Sequence, residues 1–485
     1  MSDQEPHVDL AVVGSGPGGY RAAVLGALRG LRVAIVERGV WGGCCLNRGC
    51  VPKKDWHHSA MLIHQQARGP ARGVRGHLAG DLDEAWAHQR EVVARVRQSY
   101  LDYLGHLGVR KVAGSARLGP DGKLIIDPVA GTTNGINVQR PEPFALDAAH
   151  VIIGTGSAPI VPPPFPSDSP RILTTDDLFE SPPPAGQRIG LIGSGVVATE
   201  LAFILTMLGR EVHWLTRSEP LHRARFSPSA LRVLYGELEQ CGIVRHRGEV
   251  AAVAESAAGI RLDLRDGDPI EVDWVLLGTG RRPHTAGLGL EEAGVRCGPG
   301  GFIERSAWAE TTRPGVYAIG DVASPLMNAN QAMADATVAL TNVINPQSRR
   351  LDPDWVPEVV YSAIELARLG MDEDAAEDAG REPAVGFAAF ESSPTALGQD
   401  APEGFVRLVA DLDDGRLLGG EVVGGQAGEL IHQLAARGNR DGALAELASG
   451  AVNHPSRSEE FVNATETLAH KWGLGERVFA SFNEE

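Results

Sequence analysis

One glycine spacing, present twice, restricts this chain more than any other feature. Val8 to Val13 is an apolar run that reads as a buried strand. Gly14-Ser-Gly16-Pro-Gly-Gly19 follows, then a helical pattern to about Arg29 and a second strand, Leu31 to Val36, ending at Glu37. In such a βαβ unit Gly14 permits the tight turn. Gly16 lets the backbone approach a pyrophosphate, and Gly19 lets helix and strand pack closely. The helix N-terminus presents free N–H groups to the phosphates. Glu37 lies 23 residues after Gly14, where a carboxylate holds a ribose hydroxyl.

The pattern returns as a strand at Arg188 to Ile192, Gly193-Ser-Gly195-Val-Val-Ala198, a helix to Leu208 and a strand at Val212 to Leu215. Here the offset that reached Glu37 lands on Thr216, followed by Arg217. No carboxylate guards the ribose. Arg217 and Arg223 suit a 2′-phosphate, because a guanidinium fork matches phosphate geometry. The second nucleotide therefore reads as NADP rather than NAD.

Between the two units lies Trp41 to Lys54, WGGCCLNRGCVPKK, with Cys45 and Cys50 five residues apart behind Gly42-Gly43. Three of the chain's five cysteines fall here. A pair this close beside a nucleotide unit reads as redox chemistry rather than a structural staple. In an ideal helix Cα atoms five residues apart are roughly 8.7 Å apart, and a disulfide tolerates about 7 Å. The backbone must therefore be distorted, and Gly49 is the expected place. A structural zinc site needs tetrahedral closure by further ligands, which this pair fits poorly, so no metal is expected. His57, His58 and His64 read as surface residues of a helical stretch from Asp55 to about Leu107.

At 485 residues the chain is long enough for roughly three domains. Gly114 to Ala149 reads as a small β-meander. Val151 to Gly156 is a buried strand ending in glycines, which places Thr155 and Gly156 near the first pyrophosphate. Pro162–Pro166 and Pro182–Pro184 bound a linker. Val275–Pro283 closes the second nucleotide unit, and Val316–Asp321 returns as a strand ending in an acid suited to a ribityl or ribose hydroxyl. A further domain starts near Leu351, with strands around 359–361, 385–391, 405–412 and 417–423. Near the end, Asn453-His454-Pro455-Ser456-Arg-Ser458-Glu459 puts Pro455 at a first helical position. His454 then sits outside the helix, within reach of Glu459, as a general base needs. The net charge of −17 excludes a nucleic-acid or anionic-membrane surface. The charged start of the chain has no apolar core for a signal peptide, and no stretch approaches a membrane span. A reducing cytoplasm is expected.

In this order the motifs resemble the class I flavoprotein disulfide reductases, the family of dihydrolipoamide dehydrogenase, glutathione reductase and mercuric reductase. The resemblance covers nearly the whole chain. It implies an α/β protein of two Rossmann-like domains, for FAD and NAD(P), plus a C-terminal α+β dimerisation domain. The corresponding boundaries are 1–157 and 286–350 for FAD, 158–285 for NAD(P) and 351–485 for the interface. It implies FAD on the first unit and NADPH, or NADH as the alternative, on the second. It implies a homodimer in which His454 and Glu459 serve Cys45 of the other subunit. Cys50 would be the thiol at the flavin and Cys45 the thiol that exchanges with substrate. Lys53 or Lys54 would approach the flavin and pair with Glu200. Gly43, Gly114, Gly280, Asp321 and Ala329 complete the implied cofactor positions.

GCVPKK, Trp56, HPSRSEEF, Tyr100, Arg217 and Arg223 look like glutathione reductase. The positions matching its substrate arginines are Val24 and Thr337, which do not pair with an anion. PGGYRAAV is closer to dihydrolipoamide dehydrogenase. The reading is an FAD-dependent reductase of a small disulfide, with a nicotinamide site like that of glutathione reductase. The alternatives are a dihydrolipoamide dehydrogenase acting with NAD⁺, whose partner is a lipoyl carrier, and a quinone or oxygen reductase that leaves the cysteines unused. Cys44 reads as a small buried residue.

Overall fold

A computed structural model describes residues 7–129, 132–133, 136–137, 142–438 and 440–479. The start of the chain and the centre of the expected meander lie outside the described residues. By its contacts the chain forms two compact units. One comprises Met1–Trp56, Leu82–Ala185 and Trp274–Leu351; the other comprises His57–Asp81, Gly186–Asp273 and Asp352–Glu485.

In the first unit β1 (His7–Val13) is the centre of a parallel sheet. It pairs with β2 (Val33–Glu37) on one side and Phe144–Ile153 on the other. Arg110–Leu118 lies beyond β2, and Val316–Ala318 beyond Phe144–Ile153. A strand covered on both faces has no polar side, which is why β1 is wholly apolar over Leu10–Val13, while Asp9 nearer its start pairs with Arg32. Ala11 and Val13 enter one core cluster with Ala34 and Val36. Leu10 and Val12 enter another with Ala22 and Ala23 of helix α1 (Pro17–Leu28). Each Val or Leu among them contributes about 1.5–3 kcal/mol. The meander forms as Arg110–Leu118, Leu124–Pro128 and Phe144–Ile153, antiparallel in sequence order.

The stretch expected to be helical from Asp55 to Leu107 is broken. Helices α2 (Gly43–Arg48) and α3 (Cys50–Gln65) are followed by 16 residues with only two single 3₁₀ turns, then by α4 (Leu82–His106). Gly69-Pro70, Gly73, Gly76 and Gly80 explain the break, since Pro and Gly are the weakest helix formers. Helix α5 (Thr175–Glu180) is fixed by a capping box between Thr174 and Asp177.

In the second unit Arg188–Ile192 pairs in parallel with Glu211–Thr216, which pairs with Val244–Arg247. Helix α6 (Val196–Met207) follows the second glycine turn. The C-terminal segment forms an antiparallel sheet of five strands rather than four, in the order 358–361, 365–370, 417–423, 405–411, 383–389. The unexpected strand, Glu365–Gly370, pairs on both sides. No helix among the described residues is long and apolar enough to cross a membrane.

Candidate active site

The first glycine turn is built by close backbone approach. Gly14 has φ +100°, and a Cβ there would lie 2.4 Å from the Gly154 carbonyl oxygen. Above Gly16 the space is open, with only the Gly43 Cα at 4.0 Å. The N–H and hydroxyl of Ser15 donate to Glu37 at 2.9 and 2.7 Å, and the Gly39 N–H donates at 2.8 Å. Glu37 is thus held in the turn.

The cysteine window docks on this turn. Gly43 has φ +65°, and a Cβ there would lie 2.5 Å from the Gly16 Cα. The Gly42 N–H donates to the Ser15 hydroxyl at 2.9 Å. Buried Asn47 donates to the Trp41 and Gly43 carbonyls at 2.9 and 2.8 Å and accepts from Arg97 of α4 at 2.9 Å. Helix α2 stops at Gly49, with φ −139° and ψ −107°, and α3 begins at Cys50. The helix is therefore interrupted at Gly49, the expected place of the distortion. Cys45, half-buried, and Cys50, exposed, are thiols that share a hydrogen bond. That bond, then burial, holds the Cys45 thiol well above the usual range. Tyr100 stacks on Tyr20 with centroids 4.2 Å apart and planes at 14°. Burial raises the Tyr100 phenol, and the charge of Cys45 raises it further, so the stacked pair stands beside that sulfur.

The other expected cofactor positions fall into two groups. Thr155 donates to the His284 carbonyl at 2.8 Å, and the Gly156 carbonyl accepts the His284 N–H at 2.9 Å. Asp321 accepts the Ser157 hydroxyl at 2.6 Å, and burial raises its carboxyl. Gly280 has φ +102° with nothing near its Cβ position, and Ala329 opens the helix Ala329–Ile344. Gly114 has a packing explanation of its own, because a Cβ would lie 2.8 Å from Ile126 and 2.9 Å from the Asp127 carbonyl oxygen. Lys53 is buried and Lys54 half-buried. Glu200 is buried on α6 and accepts the Tyr361 N–H at 2.8 Å. In the second turn Gly193 has φ +133° and Gly195 has no atom near its Cβ position. Arg217 and Arg223 are exposed, and neither has a hydrogen bond or ion pair among the described residues. Their loop is pinned by the Leu221 N–H to the Ser194 carbonyl at 2.7 Å.

Behind Asp321, fully buried Asp335 accepts from Arg305 at 2.7 Å, from the Gly320 N–H at 2.9 Å and from Gln331 at 2.5 Å. Removing one partner of a buried pair costs roughly 3–5 kcal/mol. Asp335→Ala is expected to destabilise the fold by that amount, and so to lower the melting temperature and release flavin fluorescence at lower temperature. An unchanged melting curve would show that the Asp321 turn holds without this clamp.

His454 Nδ1 lies 2.7 Å from one oxygen of Glu459, and the other oxygen accepts the Ser456 N–H at 2.7 Å. The imidazole is 73% exposed. The helix begins at Glu459, so Pro455 is not its first residue; it lies in a turn tied down by the Glu459 carboxylate. His454 first, then the Ser456 N–H, hold that carboxyl below its usual range. His57 is not a surface residue. It is 3% exposed, and its Nε2 is 3.1 Å from the Ser362 carbonyl oxygen. The cause is helical phase: Lys53, Trp56, His57 and Ala60 share the inward face of α3. Trp56 is core, packed 4.7 Å from Phe179. Among the described residues no three His, Cys, Asp or Glu side chains group to hold a metal.

Residues 8–336 match the pyridine nucleotide-disulphide oxidoreductase family, and residues 356–465 match the dimerisation domain of that family. The chain belongs to this family. It is 35% identical to the dihydrolipoyl dehydrogenase of Thermus scotoductus over 96% of this chain and 98% of that one. It is 31% identical to dihydrolipoyl dehydrogenase 2 of Haloarcula marismortui, over 95% and 96%. It is 32% identical to a glutathione reductase of Burkholderia cepacia, over 95% and 98%. The crystal structure of LpdA from Mycobacterium tuberculosis has the same fold, with a TM-score of 0.85 at 24% identity over 95% of this chain and all of that one. This pyridine nucleotide-disulphide oxidoreductase is therefore a flavoprotein that uses FAD and NAD(P)H to act on a sulfur group.

Local motifs did not mark every residue that shapes the site. Tyr20 stood only within a helix pattern. Asp176 and Arg281, which bind one another at 2.7 Å, are 105 residues apart and carry no shared spacing signal.

Proposed function

We propose that this oxidoreductase passes an electron pair between a nicotinamide nucleotide and a small aliphatic dithiol or disulfide of the dihydrolipoyl class. The observation that carries it is the hydrogen-bonded pair Cys45–Cys50, set across a helix break and docked on the first nucleotide turn. The unspecified small disulfide of the sequence reading gives way to its dihydrolipoyl alternative. Full-length relatives named dihydrolipoyl dehydrogenase support this, as do two positions. Val24 is buried in the apolar core, and the Thr337 hydroxyl donates to the Met333 carbonyl of its own helix. Neither offers a cation to a carboxylate. The stacked Tyr20–Tyr100 pair supplies an apolar wall instead.

Bound FAD would supply the two-electron transfer between nicotinamide and dithiol. In the oxidative direction His454 takes a proton from a substrate thiol. The thiolate attacks Cys45 of the oxidised pair, forms a mixed disulfide and expels Cys50 as thiolate. The second substrate sulfur then attacks its partner, closes the substrate disulfide and releases Cys45. With the proton held on Cys45, negative charge resides on Cys50, the position given to the flavin side. Glu459 fixes the tautomer of His454 by accepting from Nδ1, leaving Nε2 to take the proton. The exposure of His454 in a single chain and the match to a dimerisation domain support a homodimer in which this base serves the partner's cysteines.

The nucleotide preference rests on a separate observation. Thr216 stands where a ribose-binding acid is needed, and Arg217 and Arg223 are exposed without partners among the described residues. This favours a 2′-phosphate, hence NADP(H). A panel of lipoamide, lipoyl carrier protein and glutathione disulfide, each with NADH and NADPH, tests both parts. Lipoamide is expected to exceed glutathione disulfide by about 100-fold in kcat/KM, and NADPH to exceed NADH by about tenfold, the scale of one charge-assisted contact. Equal rates with glutathione disulfide would overturn the substrate class. A preference for NADH would overturn the role of the arginines.

A further inference from the structure

Three thiols sit where the chemistry needs two. Cys44 neighbours Cys45 in sequence, and Gly49 folds back so that its Cβ position is 3.4 Å from the Cys44 carbonyl oxygen and from the Cys45 Cα. Cys50 therefore starts its helix beside both cysteines, and charge on Cys50 is felt at Cys44 and at Cys45. A disulfide between Cys44 and Cys50 would leave Cys45 without a partner.

Around Cys44 are two guanidiniums, which would ordinarily activate a thiol. Both are engaged elsewhere. Asp176, in the first turn of α5, accepts Arg281 at 2.7 Å on Oδ1 and Arg48 at 3.2 Å on Oδ2. The Nε of Arg281 donates to the Ser157 hydroxyl at 2.8 Å, and its Nη2 to the Ser157 carbonyl at 2.9 Å. Arg48 also pairs with Glu180 at 3.3 Å. The Cys44 thiol itself points at Asp176 Oδ1, 3.8 Å away, as a donor. A carboxylate accepts from S–H and repels S⁻.

We propose that Asp176 guards the redox centre. By occupying both arginines and accepting from the Cys44 thiol, it keeps Cys44 out of exchange, so that electrons pass only through Cys45 and Cys50. The side reaction it prevents is balanced and needs no oxidant. The Cys44 sulfur attacks Cys50 of the oxidised pair, a Cys44–Cys50 bond replaces Cys45–Cys50, and the proton of Cys44 passes to Cys45. Burial first, with Asp176 adding to it, pushes the Cys44 thiol up to about 12. At pH 8 its thiolate fraction is then about one in ten thousand. The inference rests on the reading of Cys45–Cys50 as the redox pair.

The test is peptide mass spectrometry. In the reduced wild-type protein, iodoacetamide at pH 8 is expected to label Cys44 about 100-fold more slowly than the faster of Cys45 and Cys50. In oxidised Asp176→Asn, freed of the repelling charge, a Cys44–Cys50 disulfide is expected in more than about a tenth of molecules. The double variant Cys44→Ser/Asp176→Asn should return to Cys45–Cys50 alone. Asp176→Asn with only the Cys45–Cys50 bond and unchanged Cys44 labelling would overturn the guard. If Asp176→Asn does not fold, the wild-type labelling decides, and Cys44 reacting as fast as Cys50 overturns it. Absence of any Cys45–Cys50 bond in oxidised wild-type protein would instead sink the redox-pair reading.

Discussion

Cys50→Ser is expected to lower disulfide turnover by at least about a thousandfold, or about 4 kcal/mol of barrier, while the protein stays folded and its flavin stays reducible by the nicotinamide. The loss is this large because the second sulfur has no substitute within the cycle. With Cys50 gone, Cys45 still attacks a substrate disulfide and forms the mixed disulfide. No neighbouring thiol then releases it, because Cys44 donates to Asp176 and is pushed up to about 12. With an acyclic disulfide as probe the variant should accumulate a stoichiometric adduct on Cys45, visible as added mass on its peptide, whereas a lipoyl adduct is released again when its second sulfur re-closes the ring. The variant should also lose the long-wavelength absorbance of the reduced wild-type enzyme, which needs a thiolate at the flavin. Cys45→Ser is expected to lose turnover equally but without adduct, since Cys50 would face the flavin rather than substrate. Reduction of quinones by either variant should stay within a few-fold of wild type. Undiminished disulfide turnover in Cys45→Ser would mean that the cysteines are bystanders.

How far this site was legible in the sequence depended on whether its determinants were local. The β1–α1–β2 unit was readable because turn, helix start and Glu37 lie within one 31-residue span, His7–Glu37. The break at Gly49 was readable because helix geometry forbids a bridged five-residue spacing. Glu365–Gly370 was not readable. Its first five residues, ELARL, are good helix formers. It is a strand because ladders on both sides satisfy its backbone, and Leu366, Ala367 and Leu369 are buried. Tertiary pairing overrode local preference there. His57 was misjudged because its polarity suggested water, whereas its helix phase placed it in the core against a carbonyl. The Asp176–Arg281–Ser157–Asp321 chain joins residues far apart in sequence, so no spacing announces it. The substrate was hidden for a different reason. GCVPKK carries the cysteine chemistry and is silent on substrate, whereas under the proposed function substrate choice would rest on positions such as Val24 and Thr337, where an apolar or self-satisfied side chain stands instead of a cation.

His454→Gln is expected to lower disulfide turnover by about 10²–10⁴-fold, the range of a general acid–base group. Reduction of the flavin by the nicotinamide should not change, because that half-reaction needs no proton from the imidazole. Glu459→Gln should cost less, because it weakens the orientation of the base without removing it. The pH dependence has a definite sign. The folded-state carboxyl of Glu459 is lowered, so its contribution is present above the ordinary carboxylate range and is lost only as pH falls through the lower folded value. Glu459 therefore stays charged across neutral pH, and its loss of charge is not expected to bend the rate profile between pH 6 and 9. The same variant locates the base. If His454 serves the partner's cysteines, mixing Cys45→Ser and His454→Gln subunits creates heterodimers with one complete site: an intact pair from one chain and an intact histidine from the other. Random reassortment of two inactive parents should then restore about a quarter of wild-type activity, since half the dimers are mixed and each carries one working site of two. A base acting within its own chain would restore nothing, because neither parent chain holds both an intact cysteine pair and His454.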